Sequence, residues 1–89
     1  LQKSCIIIYN IPVEISVDDL RDLFAEFGTV LSVAVSRTRT NIIDSQTGYV
    51  LFEKEEEAKR AIEEANGKFL GPNQITVTKY RGIEENTDT

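Results

Sequence analysis

The fold is decided by residues 5–28, whose sequence is CIIIYNIPVEISVDDLRDLFAEFG. Residues 5–9 are β-branched and aromatic, too few for a typical helix, and followed by turn-forming residues, so they predict a strand. A helix is predicted next, because Ser16 is a capping residue, Asp19 follows three positions later, and apolar residues then recur at helical spacing as far as Gly28. A buried strand is therefore followed by an amphipathic helix.

The rest of the chain continues this pattern of short strands and helices. The predicted elements are, in chain order, a strand over 30–35, a polar and basic loop over 37–46, a strand over 48–52, a helix over 54–65 and a strand over 74–78. This order predicts an α+β, ferredoxin-like βαββαβ sandwich, in which a four-stranded antiparallel sheet carries both helices on one face. We expect one domain over residues 1–82 and a polar, disordered tail over 83–89.

Size and composition exclude several classes of protein. The 89 residues allow one layered core, and no apolar run approaches the roughly 20 residues that would span a membrane. One cysteine, Cys5, and no histidine exclude an internal disulfide and the usual zinc ligand sets, and they remove the commonest catalytic base. We therefore expect no cofactor, no metal and no enzymatic activity.

The same features describe the setting in which the chain works. A lone cysteine favours a reducing, intracellular compartment, with neither nucleus nor cytoplasm preferred. The chain begins with Leu1 and contains no methionine, which suggests a segment of a longer polypeptide. We expect a monomeric domain of a larger protein.

The net charge of −5 is unevenly distributed along the chain. Residues 13–27 carry five acids and one base, residues 53–66 carry six acids and three bases, and residues 82–89 carry three acids. Elsewhere Asp44 is the single acid against six bases. The predicted strands and loops are therefore positive and the helices negative, as expected if the sheet side faces phosphates.

Two strand segments resemble the sequence motifs of the RNA-recognition-motif family. Residues 6–11, IIIYNI, look like its hexamer motif, and residues 45–52, SQTGYVLF, look like its octamer motif. The resemblance covers roughly residues 3–81. It implies a domain that binds single-stranded RNA on the open face of its sheet, in a process such as mRNA processing. Within the family, residues 19–35 and 59–67 are most similar to poly(A)-binding proteins, which implies an adenine-rich ligand.

The resemblance also implies which residues contact RNA. The family's three base-stacking positions are occupied here by Ile7, Thr47 and Tyr49, so one of three rings is retained. The basic residue and the glycine that usually open the octamer are Ser45 and Gln46, so a phosphate contact is missing there. Further residues expected to contact bases or phosphates are Tyr9, Asn10, Arg37, Arg39, Lys79, Tyr80 and Arg81.

Strand alternation predicts which side chains share the open face. The helices are expected to cover Ile6, Ile8, Val50 and Phe52. The open face is expected to present Cys5, Ile7, Tyr9, Thr47, Tyr49 and Leu51, together with Ala34, Ser36, Thr76 and Thr78. A second interpretation stays open, in which Ile7 and Leu51 on the sheet, or the acidic helix faces, bind a protein partner.

Overall fold

Strands and helices alternate along the chain in the computed structural model, which describes residues 4–39 and 44–80, with backbone alone at 37–39 and 44. The strands are β1 (Cys5–Pro12), β2 (Val30–Arg39), β3 (Asp44–Phe52), β4 (Phe69–Leu70), β5 (Asn73–Gln74) and β6 (Thr76–Lys79). The helices are α1 (Val17–Phe24), which continues into a 3₁₀ turn over Ala25–Phe27, and α2 (Glu55–Ala65). The predicted tail, residues 83–89, lies outside the described residues.

The four long strands form one antiparallel sheet in the order β2-β3-β1-β6. Its central strand β1 pairs with β3 on one side and β6 on the other. The short strands β4 and β5 form a separate two-stranded hairpin. The predicted ferredoxin-like sandwich, with two helices on a four-stranded antiparallel sheet, is confirmed.

Both helices pack on the same face of the sheet. Ile6, Ile8, Val50 and Phe52 are fully buried there, as the alternation predicts. The helices contribute Leu20, Phe24, Ala58, Ala61 and Ala65 to the same core. Burial of a large aliphatic or aromatic side chain stabilises a fold by about 1.5–3 kcal/mol, so this layer supplies much of the driving force for folding.

Each helix begins with hydrogen bonds that satisfy free backbone groups. The predicted capping box of α1 is present, because the Asp19 N–H donates to Ser16 Oγ at 3.1 Å and the Ser16 N–H donates to Asp19 Oδ2 at 3.1 Å. At α2, the Lys54 N–H donates to Glu57 Oε1 at 3.0 Å. Within residues 4–39 and 44–80 neither helix is long and apolar enough to cross a bilayer.

The predicted end of the first strand is wrong. β1 continues to Pro12, and Ile11 still pairs with Gln46 of β3. Between Ile8 and Ile11 the register shifts, and Asn10 adopts a left-handed backbone with φ of 69°. Asparagine tolerates this conformation, and the irregularity turns Ile8 and Ile11 to the same buried side. The turn-forming residues therefore interrupt the alternation without ending the pairing.

The predicted loop over 37–46 is also too long. β2 and β3 stay paired as far as Arg39 and Asp44, so the two strands include residues at both ends of the predicted loop. Polar and basic side chains led to the loop assignment. Where an antiparallel hairpin extends beyond the core, its residues need not be apolar. The polar ends of β2 and β3 therefore lack the alternation from which a strand is predicted.

The predicted last strand over 74–78 is divided at Ile75. Ile75 does not belong to the main sheet, because its N–H donates to the Lys68 carbonyl oxygen at 2.9 Å. The Ile75 side chain is buried. The residues before it belong to the β4–β5 hairpin, which turns at Gly71 with φ of 58°. β6 begins at Thr76.

Gly48 allows β3 to approach the core closely, and this predicts the effect of its replacement. A Cβ atom there would lie 2.6 Å from Leu20 Cδ2 and 2.8 Å from Ile11 Cδ1, both fully buried. We expect Gly48→Ala to lower the free energy of unfolding by about 1–3 kcal/mol, measured by urea denaturation. Ser36→Ala, at an exposed position of β2, should change it by less than about 0.5 kcal/mol. Equal stabilities for the two variants would contradict the steric argument.

Candidate RNA-binding surface

The sheet face opposite the helices presents its side chains in rows, because directly paired residues of antiparallel strands point to the same side. The middle row runs across all four strands through Ala34, Tyr49, Ile7 and Thr78. The row on one side of it holds Ser32, Leu51, Cys5 and Tyr80. On the other side Ser36 pairs with Thr47 and Tyr9 pairs with Thr76. All these side chains are uncharged. The open face is therefore assembled as the alternation predicts.

Tyr49 and Tyr80 form an aromatic pair on this face. Their ring centroids are 5.1 Å apart and the ring planes are inclined at 83°, an edge-to-face arrangement that contributes about 0.5–1.5 kcal/mol. The Tyr80 N–H donates to the Cys5 carbonyl oxygen at 3.0 Å, which extends the pairing of β6 with β1 by one residue. Sequence reasoning assigned Tyr80 to RNA contact but did not foresee this partner.

Ile7 and Cys5 are almost covered, although both point away from the helices. Each is 8% exposed. The bulkiest side chains around them on this face are Tyr49, opposite Ile7, and Tyr80, beside Cys5. Burial raises the pKa of the Cys5 thiol, so it stays protonated at neutral pH. The two residues therefore expose little surface on this face, and the predicted RNA contact of Ile7 stays a prediction.

Tyr9 is the most accessible ring of the open face. It is 45% exposed and lies opposite Thr76 on β6. Thr47, at one of the family's stacking positions, is partly buried opposite Ser36. The surface therefore combines three tyrosine rings with hydroxyl groups.

Asn10 already has protein partners. Its Nδ2 group donates to the Gln74 carbonyl oxygen at 3.0 Å, and its own carbonyl oxygen accepts from Asn73 Nδ2 at 3.3 Å. These bonds join β1 to the β4–β5 hairpin. The hydrogen bonds give Asn10 a structural role that does not require RNA. The predicted contact of Asn10 with RNA stays a prediction.

Of the predicted basic contacts, Lys79 is the one whose side chain the structure describes, and it does not lie on the tyrosine face. Lys79 is exposed and pairs opposite Ile6, so it leaves β6 on the side opposite to Thr78 and Tyr80. Any contact of Lys79 with RNA would be made around the sheet edge. Arg37 and Arg39 have their backbones in β2, but their side chains and the whole of Arg81 lie outside the described residues.

Comparison with known proteins identifies the class to which this surface belongs. Residues 6–76 match the RNA recognition motif family. Because the match covers most of the chain, the protein belongs to that family.

Several characterised proteins contain a similar segment. The chain is 36% identical over 76 residues to polyadenylate-binding protein 4 of Arabidopsis thaliana, covering 85% of this chain and 11% of that protein. It is 35% identical over 71 residues to the single-stranded TG1-3 DNA-binding protein of Schizosaccharomyces pombe, covering 75% of this chain and 20% of that protein. The chain thus spans at most a fifth of either relative, and the similarity to a poly(A)-binding protein is confirmed.

Solved structures show the same fold. The Mip6 RRM3 domain superposes with a TM-score of 0.82 at 23% identity, covering 91% of this chain and 96% of that one. An Sxl-lethal protein/RNA complex gives a TM-score of 0.79 at 22% identity, covering 90% of this chain and 48% of that one. The Rna15 RRM with bound RNA (GU) gives a TM-score of 0.77 at 16% identity, covering 94% of this chain and 92% of that one.

Gln46 has a structural role that sequence reasoning missed. Its side chain is 5% exposed, and its Nε2 group donates to the carbonyl oxygens of Pro12 at 2.9 Å and Ile15 at 2.6 Å. The residue that replaces a glycine of the octamer motif therefore holds the loop between β1 and α1. Because Gln46 lies at the end of the predicted loop over 37–46, no local signal in the sequence indicates these bonds.

This role predicts a loss of stability when the amide is removed. Gln46→Ala should lower the free energy of unfolding by about 1–3 kcal/mol, because the Ile15 carbonyl oxygen loses its donor and the Pro12 carbonyl oxygen keeps the Ile15 N–H but loses the amide. The isosteric Gln46→Glu should be at least as destabilising at neutral pH, since a carboxylate donates no hydrogen bond, and part of the loss should be recovered at acidic pH. Urea denaturation at both pH values measures this. A Glu variant as stable as the parent would contradict the assignment.

Proposed function

We propose that this domain binds single-stranded RNA across the open face of its sheet, with bases stacked on Tyr49 and Tyr9. The observation that carries the proposal is the presence of three tyrosine rings on the face opposite to α1 and α2, in a chain of the RNA recognition motif family. Single-stranded RNA is typically bound by such platforms, where unpaired bases stack on aromatic side chains. The RNA present in the Sxl-lethal and Rna15 structures supports the same ligand class.

Stacking alone gives this surface a modest affinity. Each base stacked on an aromatic ring contributes about 1–3 kcal/mol, so Tyr49 and Tyr9 together supply roughly 2–6 kcal/mol. Tyr80 is placed to hold the Tyr49 ring in one orientation, which lowers the entropy lost on binding. The hydroxyl groups of Thr47 and Thr78 can exchange hydrogen bonds with base edges or with the 2′-hydroxyl group.

Phosphate contacts complete the proposed interface from its margins. The open-face rows are uncharged, so Arg37, Arg39, Lys79 and Arg81 are the proposed partners of the RNA backbone. Such contacts fix the position of the strand and add affinity without reading its sequence. Tight binding would then need neighbouring domains in a longer protein, through the effective concentration that a linker provides.

The preferred base is proposed to be adenine. The similarity to polyadenylate-binding protein 4 of Arabidopsis thaliana supports this choice. Stacking on tyrosine is sequence-tolerant, because every base has a π-face, so we expect a preference rather than strict selection.

Protein binding through the sheet face is less favoured. That alternative relied on Ile7 and Leu51 as an apolar docking patch. Ile7 is 8% exposed and Leu51 is partly buried, so the pair offers little area to a partner. Exposed apolar side chains occur instead on the helix side of the domain, at Leu23 and Phe69.

The stacking assignment predicts the effect of removing one ring. Tyr49→Ala should weaken binding of short poly(A) RNA by about 1–3 kcal/mol, whereas Tyr49→Phe should retain most of it, because the ring face does the stacking. Titration against homopolymers of adenine and uracil measures both affinity and preference. Phe69→Ala, which removes an exposed ring on the helix side, is the matched control and should bind RNA as the parent does. Unchanged affinity of a folded Tyr49→Ala domain would refute the assignment.

The phosphate contacts predict a dependence on salt. For single strands the logarithm of the binding constant should fall with the logarithm of salt concentration, with a slope of about −0.7 per phosphate contact. Arg37→Gln and Arg81→Gln should each flatten the slope by about that amount, and Lys59→Gln on α2 should leave it unchanged. If Arg37→Gln and Lys59→Gln alter the slope equally, the charge acts through the overall field and not through contacts.

A further inference from the structure

One corner of the open face combines its most accessible tyrosine ring with two side-chain amides. Tyr9, which is 45% exposed, pairs with Thr76 of β6 and is followed directly by Asn10. The backbone carbonyl oxygen of Asn10 accepts from Asn73 Nδ2 of β5 at 3.3 Å, which brings the second amide to the same place. We call Tyr9, Asn10 and Asn73 the amide corner.

The backbone of the amide corner has an uncommon conformation. Asn10, with φ of 69°, is the one non-glycine residue with a positive φ among residues 4–39 and 44–80. This conformation costs free energy for a residue with a Cβ atom, and residues that adopt it cluster at binding and catalytic sites. The Asn10 side chain donates to the Gln74 carbonyl oxygen at 3.0 Å, while the Asn10 carbonyl oxygen accepts from Asn73. The protein itself therefore fixes the positions of both amides.

Both amides keep hydrogen-bonding capacity for a ligand. A side-chain amide has two N–H donors and a carbonyl oxygen that accepts. Within the part of the chain that the structure describes, Asn10 and Asn73 each use one N–H, and neither amide oxygen accepts a bond. Each amide thus retains one donor and one acceptor. Both residues are partly buried, so a ligand that covers them without matching these groups leaves them with neither water nor a partner.

The surroundings of Tyr49 on the open face are different. Its neighbours across the middle row are Ala34 and Ile7, which have no polar side-chain group, and the ring beside it is Tyr80. A hydroxyl group such as that of Tyr80 rotates to donate or to accept, so it distinguishes bases poorly. A base stacked on Tyr49 is therefore bound with little selection, and selection falls to the base on Tyr9.

We propose that the amide corner selects one adenine base, which stacks on Tyr9 while the amides of Asn10 and Asn73 pair with its edge. The inference rests on the proposed RNA binding and adds to it the residues that select the base. An amide matches adenine because its oxygen accepts from the N6 amino group and its N–H donates to the adjacent ring nitrogen. Guanine presents two acceptors, O6 and N7, on the corresponding edge and leaves the amide oxygen unpaired. A pyrimidine has one ring instead of two and covers less of Tyr9.

The geometry of the sheet makes a single adenine sufficient. Tyr49 pairs with Ile7, two residues before Tyr9, so Tyr49 and Tyr9 are diagonal neighbours about 7–8 Å apart. The two rings are thus placed for neighbouring bases of one strand, and only the base on Tyr9 meets the amides. We therefore expect selection at one position of the RNA and tolerance at the next.

Short oligouridine RNAs with one central replacement test this selection on the parent chain. Replacement of one uracil by adenine should tighten binding about tenfold, whereas guanine or cytosine should change it by less than about threefold. An RNA made of adenine alone should bind at most about threefold more tightly than the single-adenine RNA, because Tyr49 accepts any base. Purine, which lacks the N6 amino group, should lose most of the tenfold gain although both of its rings remain to stack.

Variants of the chain locate the selection. Asn73→Ala, and separately Asn10→Gly, which suits the left-handed backbone, should each reduce the adenine preference to less than about threefold. Gln74→Ala is the matched control and should keep the preference, because it removes an amide of the same hairpin that donates instead to the Gly67 carbonyl oxygen at 2.9 Å. Tyr49→Ala should weaken the adenine and uracil RNAs equally. Thermal unfolding of every variant establishes that the fold is intact.

Four results would overturn the inference while leaving the proposed function in place. These are equal binding of the single-adenine and all-uracil RNAs, equal binding of the adenine and purine RNAs, a larger gain from guanine or cytosine, and an equal loss of preference in Gln74→Ala and Asn73→Ala. The second would mean that stacking alone favours a purine. The last would mean that the position of the hairpin matters and not the Asn73 amide. Absence of binding to every RNA would instead refute the proposed function, and the inference with it.

Discussion

The rest of the structure depends on the burial of β1 from both sides. Ile6 and Ile8 are enclosed by the helices, and Cys5 and Ile7, on the opposite face, are enclosed by the side chains of neighbouring strands. Because successive residues of a strand point in opposite directions, fixing the helix-side residues also fixes which residues face outward. A slip of β1 by one residue would turn Tyr9 toward the helices and expose Ile6 and Ile8. The register of the core thus positions the proposed RNA-binding surface.

The two sides of the sheet differ in chemistry as a consequence. The open face presents uncharged rings and hydroxyl groups, while the acids concentrate on the helices, where residues 13–27 and 53–66 are both net negative. A negative net charge of −5 is therefore compatible with a polyanionic ligand, because the field near the sheet depends on where the charges lie.

Some residues that depart from the family's motifs have a structural role in this domain. Gln46 stands where the octamer motif has a glycine, and its amide holds the loop that leads into α1. Tyr80, beyond the last strand, adds a second ring beside Tyr49 where Ile7 and Thr47 provide none. A second ring on the open face therefore comes from outside the family's motif positions.

The sequence by itself determined the order of elements, the buried face of each strand and helix, the capping box of α1 and the placement of Tyr49 and Tyr9 on the open face. These features follow from local periodicity and from side-chain chemistry within a few residues. Only the tertiary structure decided the bonds of Gln46 to Pro12 and of Asn10 to Gln74, which join residues 34 and 64 positions apart. It alone also decided the Tyr49–Tyr80 pair. Such contacts depend on how the elements pack, and no periodicity within one element encodes that packing.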